Sequence, residues 1–289
     1  MKKDGTTVSK YEYDQNGNRT KYIANGDTTL AVYDDQDRLL SYGNYNYTYD
    51  KNGNLTSKYS VLDTTYYSYD NFGNLRSVIK PDSSIIEYKI NASNQRIAKV
   101  TDGVIERKWL YSGGLLPVAE VDSADEIKVL YGPGYIVKND TTYRVITNHL
   151  GSVKLIVNAA TGEIVQNIDY DEFGNLTNVL NQNEFFDFTF CGGLYDTDTK
   201  LIRFGARDYD PEIGRWLDKE PLGFAGSNNF YVYCENDPIN SIDPTGLDEI
   251  TRNPAIRRSF YNMWLLSGKG EKYGEAHSYI NYPWNGNGQ

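Results

Sequence analysis

Residues 47–59 read YTYDKNGNLTSKY, and the same Tyr-Asp and Gly-Asn pattern returns along the chain. Close copies are YEYDQNGNRTKYI at 11–23, YSYDNFGNLRSVI at 67–79 and IDYDEFGNLTNV at 168–179, with weaker ones at 31–43 and 88–100. The aspartates Asp14, Asp34, Asp50 and Asp70 are spaced by 20, 16 and 20 residues. Such a period indicates an array of small units that bury their faces only against one another.

Each unit of this array has the features of a β-hairpin. Tyr-x-Tyr alternates with the period of a strand, and aromatic side chains fit a pleated, half-buried surface. Asn16-Gly17 and Asn52-Gly53 favour tight turns because glycine accepts a positive φ. Helix signals are almost absent through residue 190. The fold class is therefore all-β, with a sheet able to enclose a polar space.

The repeat aspartates have two possible roles. Aspartate can accept hydrogen bonds from nearby backbone N–H groups and hold a turn, which is the role we expect. Asp14, Asn16 and Asn18 also offer oxygens for calcium, but the loop lacks the glutamate that closes an EF-hand. We therefore expect no metal and no cofactor.

Composition excludes several classes of protein. The 289 residues carry a formal net charge of −10, which argues against nucleic-acid binding by the repeat region. A mean hydropathy of −0.61, with no apolar run of membrane-spanning length, argues against a membrane span. The opening MKKDGTTVSKYEYD has no apolar core, so we expect no signal peptide in this chain. Two cysteines cannot form a disulfide scaffold.

The C-terminal third carries a second set of motifs. It contains NHLGSV at 148–153, FTFCGGLYDTDTKLIRFGARDYDPEIGRWLDKEPLGF at 188–224 and NNFYVYCENDPINSIDPTGL at 228–247. With the Tyr-Asp repeats, these segments resemble the Rhs (rearrangement hotspot) family, including the repeat-associated core of bacterial polymorphic toxins. They are also similar to the C component of insecticidal Tc toxins. The resemblance covers about residues 11–247.

This resemblance implies an architecture. In the Rhs family, YD repeats wind a β-sheet into a hollow shell, and the core spirals inward and plugs one end. A variable toxin follows the DPxGL motif and is held inside. The expected divisions are a YD-repeat sheet at 1–110, a repeat-associated core at 111–247 and a variable tip at 248–289.

The resemblance also implies self-cleavage by an aspartic protease after the leucine of DPxGL, here the bond Leu247–Asp248. Two close carboxylates that share one proton can activate water and polarise a peptide carbonyl. The family pair maps onto Asp243 and onto Glu220, where the family has aspartate. Because glutamate reaches one methylene further, we expect cleavage to be slowed or lost. The supporting motif residues are Pro244, Gly246, Pro221 and Gly223.

Further residues have two interpretations each. Arg207 could hold a carboxylate or the oxyanion, or form a structural ion pair. His149 lacks a recognisable nucleophilic partner, so we expect a packed or turn-bonded histidine. Cys191 and Cys234 could form a disulfide, although we expect two buried thiols. The alternative carboxylates are Asp208, Asp218 and Asp237, and Asp210 is expected to order a turn.

The tip differs from the rest of the chain. It holds five basic and four acidic residues, and the segment NPAIRRSFYNMWLL at 253–266 is predicted to be a short α-helix. Glu275, His277 and Ser278 are acid–base candidates within it. A toxin of this class implies a cognate immunity protein, delivery machinery and a secreted or cell-surface location in bacteria. The alternatives are a surface adhesion module that binds glycans and an inactive remnant.

Overall fold

The computed structural model describes residues 2–3, 6–180, 186–247 and 249–251. The described residues form 26 strands and three short 3-10 helices. The strands of the first half are β1 (Lys2–Lys3), β2 (Thr6–Thr7), β3 (Ser9–Tyr13), β4 (Arg19–Ala24), β5 (Asp27–Tyr33), β6 (Leu39–Tyr42), β7 (Tyr45–Tyr49), β8 (Leu55–Tyr59), β9 (Thr64–Tyr69), β10 (Leu75–Ile79), β11 (Ile85–Ile90), β12 (Arg96–Thr101) and β13 (Val104–Tyr111).

The second half continues with β14 (Pro117–Val121), β15 (Ile127–Gly132), β16 (Tyr135–Lys138), β17 (Thr141–Thr147), β18 (Val153–Asn158), β19 (Ile164–Tyr170) and β20 (Leu176–Leu180). Short elements follow: η1 (Phe190–Gly192), β21 (Leu194–Tyr195), β22 (Ile202–Phe204), β23 (Arg207–Asp210), β24 (Arg215–Trp216), η2 (Gly223–Ala225), η3 (Cys234–Asn236), β25 (Ser241–Ile242) and β26 (Ile250–Thr251).

One long sheet dominates the described part of the chain. The 18 strands from β3 to β20 pair antiparallel in chain order, which confirms the all-β prediction. The register shifts at the tyrosine that precedes the repeat aspartate, between Thr48 and Tyr49 in β7 and between Glu12 and Tyr13 in β3. Such bulges increase the local twist and bend the strand. The repeat therefore bends the sheet at the same edge in successive hairpins.

The turns confirm the structural role of the repeat aspartates. In Asp50, Oδ1 accepts the N–H groups of Asn52 and Asn54 at 2.9 Å each, and Oδ2 accepts the amide of Asn54 at 2.9 Å. Similar bonds to the residues two and four positions later occur at Asp14, Asp34, Asp70 and Asp171. These carboxylates are thus committed to the backbone of their own turns.

Alternate side chains of the strands form the inner face of the sheet. Tyr47, Tyr67 and Tyr88 are buried there, within one cluster that also holds Leu39, Leu55, Leu75 and Ile86. Leu201, Ile213 and Leu217 pack into the same cluster from the segment after β20. The C-terminal segment 186–247 therefore lies against the inner face, as the core of the expected architecture would.

The first strand of the sheet contacts the last hairpin. The Tyr11 hydroxyl donates to Glu172 Oε2 at 2.9 Å, and its ring meets that of Phe173 edge-on at 5.1 Å. Both partners lie in the turn between β19 and β20. The sheet is therefore curved enough to bring its two ends together through side chains.

Three expectations about organisation have different outcomes. The strand Val104–Tyr111 spans the expected boundary at residue 110, and the division into three domains stays a prediction. The predicted helix at 253–266 and the tip candidates lie outside the described residues. Among the residues that are described, no helix is long and apolar enough to span a bilayer.

Candidate active site

The DPTGL motif at 243–247 is held by the hairpin of β22 and β23. The Ala206 N–H donates to the Thr245 carbonyl at 2.8 Å. Gly246 has φ +67°, and a Cβ there would lie 2.8 Å from the Arg207 backbone nitrogen. A Cβ on Gly205, φ +44°, would collide with the Thr245 backbone. These glycines let two backbones approach closely, as side chains could not.

Arg207 joins the two predicted carboxylates. Its Nη2 lies 2.6 Å from Glu220 Oε2 and 3.3 Å from Asp243 Oδ2, and all three side chains are buried. Its Nε donates to the Gly246 carbonyl at 2.6 Å. The guanidinium also stacks over the Trp216 ring at 4.1 Å, which fixes its plane. One cation therefore connects both carboxylates to the peptide just before Leu247.

Asp243 also holds the backbone of its own motif. Its Oδ1 accepts the Thr245 hydroxyl at 3.1 Å and the Leu247 N–H at 3.2 Å. Burial raises the pKa of the Asp243 carboxyl, while Arg207 and the hydrogen bonds to the motif oppose that rise. The raised pKa favours retention of a proton by this carboxyl in the folded protein.

Glu220 begins a tight turn. Its carbonyl accepts the Gly223 N–H at 3.0 Å across Pro221 and Leu222, and its own N–H donates to the Phe230 carbonyl at 2.9 Å. Its Oε1 accepts the Leu222 N–H at 3.0 Å. The side chain is therefore fixed at one oxygen by its own turn and at the other by Arg207.

The structure brings most of the predicted site residues together. Glu220, Asp243, Arg207 and the backbone at Gly246 and Leu247 form one buried cluster. Asp248 lies outside the described residues. Cleavage and the catalytic roles of these residues stay predictions.

The remaining candidates lie in other contacts. Asp208 pairs with Arg96 and Arg203. Asp210 accepts the Glu212 N–H at 2.9 Å, in the turn where it was expected. His149 lies in a turn and is exposed, with its Nε2 2.9 Å from the Ile239 carbonyl oxygen. Cys191 and Cys234 are both buried and form no disulfide, as expected.

Two contacts of the site, and the shifted pKa of the alternative carboxylate Asp218, were not predicted from the sequence. Trp216 lies under Arg207. Gly226 faces the Glu220 side chain, since a Cβ there would lie 2.6 Å from Glu220 Cδ. Burial raises the pKa of Asp218 to about 8, and the neighbouring Asp208 adds to the rise while Arg207 opposes it. No motif spacing marked these contacts, because each depends on how separate loops meet.

A sheet of Tyr-Asp hairpins around a C-terminal core defines the class of Rhs/YD-repeat shell proteins. The sequence model of the teneurin YD-shell family matches residues 1–239, so the chain belongs to that family. It is 29% identical over 188 residues to the tRNA nuclease WapA of Bacillus subtilis (strain 168), covering 60% of this chain and 8% of WapA. It is 26% identical over 255 residues to teneurin-3 of Danio rerio, covering 81% and 9%.

Among solved structures, the crystal structure of TcdB2-TccC3 without its hypervariable C-terminal region is similar. It superposes with a TM-score of 0.54 at 20% identity, over 83% of this chain and 13% of that chain. At this identity the likeness shows the fold alone. The chain spans 8% of the length of WapA and 9% of that of teneurin-3.

Proposed function

We propose that this chain is part of a toxin-encapsulating Rhs shell whose core cleaves its own Leu247–Asp248 bond and frees the segment from residue 248 onward. One observation carries the proposal. Arg207 contacts both Glu220 and Asp243 and also holds the Gly246 carbonyl, one peptide unit before the bond in question. Two buried carboxylates that contact the same arginine beside the DPTGL motif match the requirements of aspartic hydrolysis.

The proposed reaction uses the pair as base and acid. One ionised carboxylate takes a proton from water as the water oxygen bonds to the Leu247 carbonyl carbon. When the C–N bond breaks, the protonated carboxyl gives its proton to the Asp248 nitrogen. The products are a Leu247 carboxylate and an Asp248 amine. Burial, which raises the pKa of Asp243, favours this residue as the protonated partner.

Arg207 and the motif glycines would act by positioning. The Gly246–Leu247 peptide is held at its carbonyl by Arg207 and at its N–H by Asp243. Fixing a peptide beside a reacting group replaces part of the entropic barrier. A water-excluded, buried cation also stabilises developing negative charge more than it would in solvent.

Asp243→Asn tests the chemistry while preserving the loop. Asparagine keeps an oxygen for the Leu247 N–H and the Thr245 hydroxyl but cannot act as an acid or a base. We expect intact mass to show no fragment 248–289 from this variant or from Glu220→Gln, while the unmodified chain releases it slowly. Asp237→Asn is the control, since its carboxylate bonds Asn240 instead. The proposal would be refuted if the unmodified chain and a Glu220→Asp chain both stay full-length, or if an Asp243→Asn chain is cut after Leu247.

Glu220→Asp examines the expected impairment. Faster release of the fragment from this variant than from the unmodified chain would support the idea that the extra methylene slows cleavage. Slower release would show that the site is built for glutamate.

Partners and location follow from the same proposal. Similarity to the tRNA nuclease WapA and to the structure of a Tc holotoxin pore supports a secreted or cell-surface role in bacteria with delivery machinery, and a neutralising immunity protein for the freed segment. A glycan-binding adhesion role would instead predict sugar binding that is unaffected by Asp243→Asn and Glu220→Gln. Glycan-array binding of both variants distinguishes these roles.

A further inference from the structure

We infer that Gly226 is a positioning residue that holds the Glu220 carboxylate on Arg207. This inference rests on the proposed self-cleavage for its functional consequence, but its geometric basis is independent of that function. Gly226 ends the short helix η2, six residues after Glu220, and belongs to none of the motifs that mark the site.

The first observation is the space beside Gly226. A Cβ at this position would lie 2.6 Å from Glu220 Cδ, 2.7 Å from Cγ and 3.0 Å from Oε1. Ordinary van der Waals contact begins at 3.4 Å. Any side chain at residue 226 would therefore push the Glu220 side chain by about 1 Å, on the order of displacements that matter in catalysis.

The second observation is that Glu220 has little freedom to yield. Its Oε2 is 2.6 Å from Arg207 Nη2, its Oε1 accepts the Leu222 N–H, and the residue is buried. A shift away from residue 226 must lengthen one of these contacts. The absence of a Cβ at Gly226 is thus what allows both contacts to form together.

The third observation is that the backbone does not require glycine here. Gly226 has φ −89° and ψ −48°, a helical conformation that alanine adopts readily. Alanine at such a position ordinarily stabilises a protein by restricting the unfolded chain. Any harm done by Gly226→Ala therefore comes from the contact with Glu220 and not from the backbone.

The inference predicts a specific loss of function. A displacement of about 1 Å at a catalytic group can lower a rate by about 100-fold. We expect Gly226→Ala to release the fragment 248–289 about 100-fold more slowly than the unmodified chain. Because the displaced carboxylate loses contact with a cation, the acidic limb of its rate–pH profile should move to higher pH. A purely structural effect would leave that limb in place.

The experiment follows cleavage during refolding. Full-length chains purified in denaturant are diluted into buffers of graded pH, and the fragment is measured by intact mass over time. Gly114→Ala is the matched control, since a Cβ there comes no closer than 4.0 Å to any neighbour and its φ lies outside the left-handed region. Unchanged rate and pH profile in Gly226→Ala would overturn the inference.

A double-mutant cycle, followed by thermal unfolding, tests the contact between residue 226 and Glu220 without relying on cleavage. Four chains all carry Asp243→Asn, so that all stay the same length. The first has no further change, the second adds Gly226→Ala, the third adds Glu220→Ala and the fourth adds both. We expect Gly226→Ala to lower the Tm when Glu220 is intact, but not when Glu220→Ala has removed Cγ and Cδ.

The outcomes of this cycle separate the contact from the proposed function. If Gly226→Ala changes the Tm equally in the chain with Glu220 and in the chain with Glu220→Ala, the inference that residue 226 positions Glu220 is wrong. If neither the unmodified chain nor the Glu220→Asp chain ever cleaves, the proposed function is wrong, while the cycle still decides whether Gly226 positions Glu220.

Discussion

The pairing of Asp208 with two arginines offers a quantitative test of how the core is fixed inside the sheet. Asp208 Oδ1 lies 2.6 Å from Arg96 Nη2, and its Oδ2 lies 2.8 Å from Arg203 Nη1. Arg96 begins strand β12 of the large sheet, whereas Asp208 and Arg203 belong to the core. Arg203 also donates to Asn74 Oδ1 at 2.9 Å, in a Tyr-Asp turn. Asp208 and Arg203 together thus link the core to the sheet at two places, Arg96 and Asn74.

The loss of stability expected from Asp208→Asn follows from the burial of the three charged side chains. The side chains of Asp208 and Arg96 are each 1% exposed, and that of Arg203 is 4% exposed. Asp208→Asn keeps the shape but removes the charge and one acceptor, so two buried guanidinium groups lose the carboxylate that pairs with both. Removing one member of a buried pair destabilises a protein by about 3–5 kcal/mol. For a chain of this size, that corresponds to a fall in Tm of roughly 6–20 °C.

Urea denaturation and thermal unfolding measure this effect against a surface control. Asp125→Asn removes the ion pair with Lys108, in which the Asp125 side chain is 80% exposed, and we expect a loss below about 1 kcal/mol. Asparagine also tolerates the positive φ of 65° at residue 125. A loss below about 1 kcal/mol for Asp208→Asn would contradict the reasoning, since it would mean that the arginines find other partners.

Further variants test the motif, the docking of the core and a buried carboxyl. Gly246→Ala should lower the Tm and stop release of the fragment, because its Cβ would meet the backbone at Arg207; equal release would contradict the close packing. Tyr231→Phe should cost about 1 kcal/mol in urea unfolding, as the hydroxyl donates to the Gly53 carbonyl at 2.8 Å. Burial raises the pKa of Asp218 from 3.8 to about 8. Between these two pH values the folded protein holds this proton and the unfolded chain does not, so the free energy of unfolding falls as the pH rises across that range. Asp218→Asn should flatten this pH dependence, and an unchanged slope in thermal melts across that window would count against the assignment.

The local parts of this fold were predictable because their causes are local. An aspartate followed by Gly-Asn closes its own turn through bonds that span only four residues, as Asp50 does with Asn54. Alternation of tyrosine with polar residues predicts which face is buried, and Tyr47 and Tyr67 follow that rule. The close association of Arg207, Glu220 and Asp243 agrees with the motifs from which they were selected. Gly226 was not predictable, since its importance depends on a side chain whose rotamer the sequence does not specify.

The docking of the core was also beyond sequence reasoning, although its chemistry is simple. The turns present acceptors, and the core supplies donors from 197 and 178 residues away: Arg215 donates to Asn18 Oδ1 at 3.0 Å, and Tyr231 to the Gly53 carbonyl. The Gly-Asn pattern alone indicates only a turn. Within that turn, Asn18 Nδ2 donates to Asp14 Oδ2, whereas Asn18 Oδ1 accepts from Arg215 of the core. The same asparagine therefore closes the hairpin and binds the C-terminal segment. This double role explains the asparagine in the Gly-Asn pair: its side chain closes its own turn and also accepts a hydrogen bond from the core.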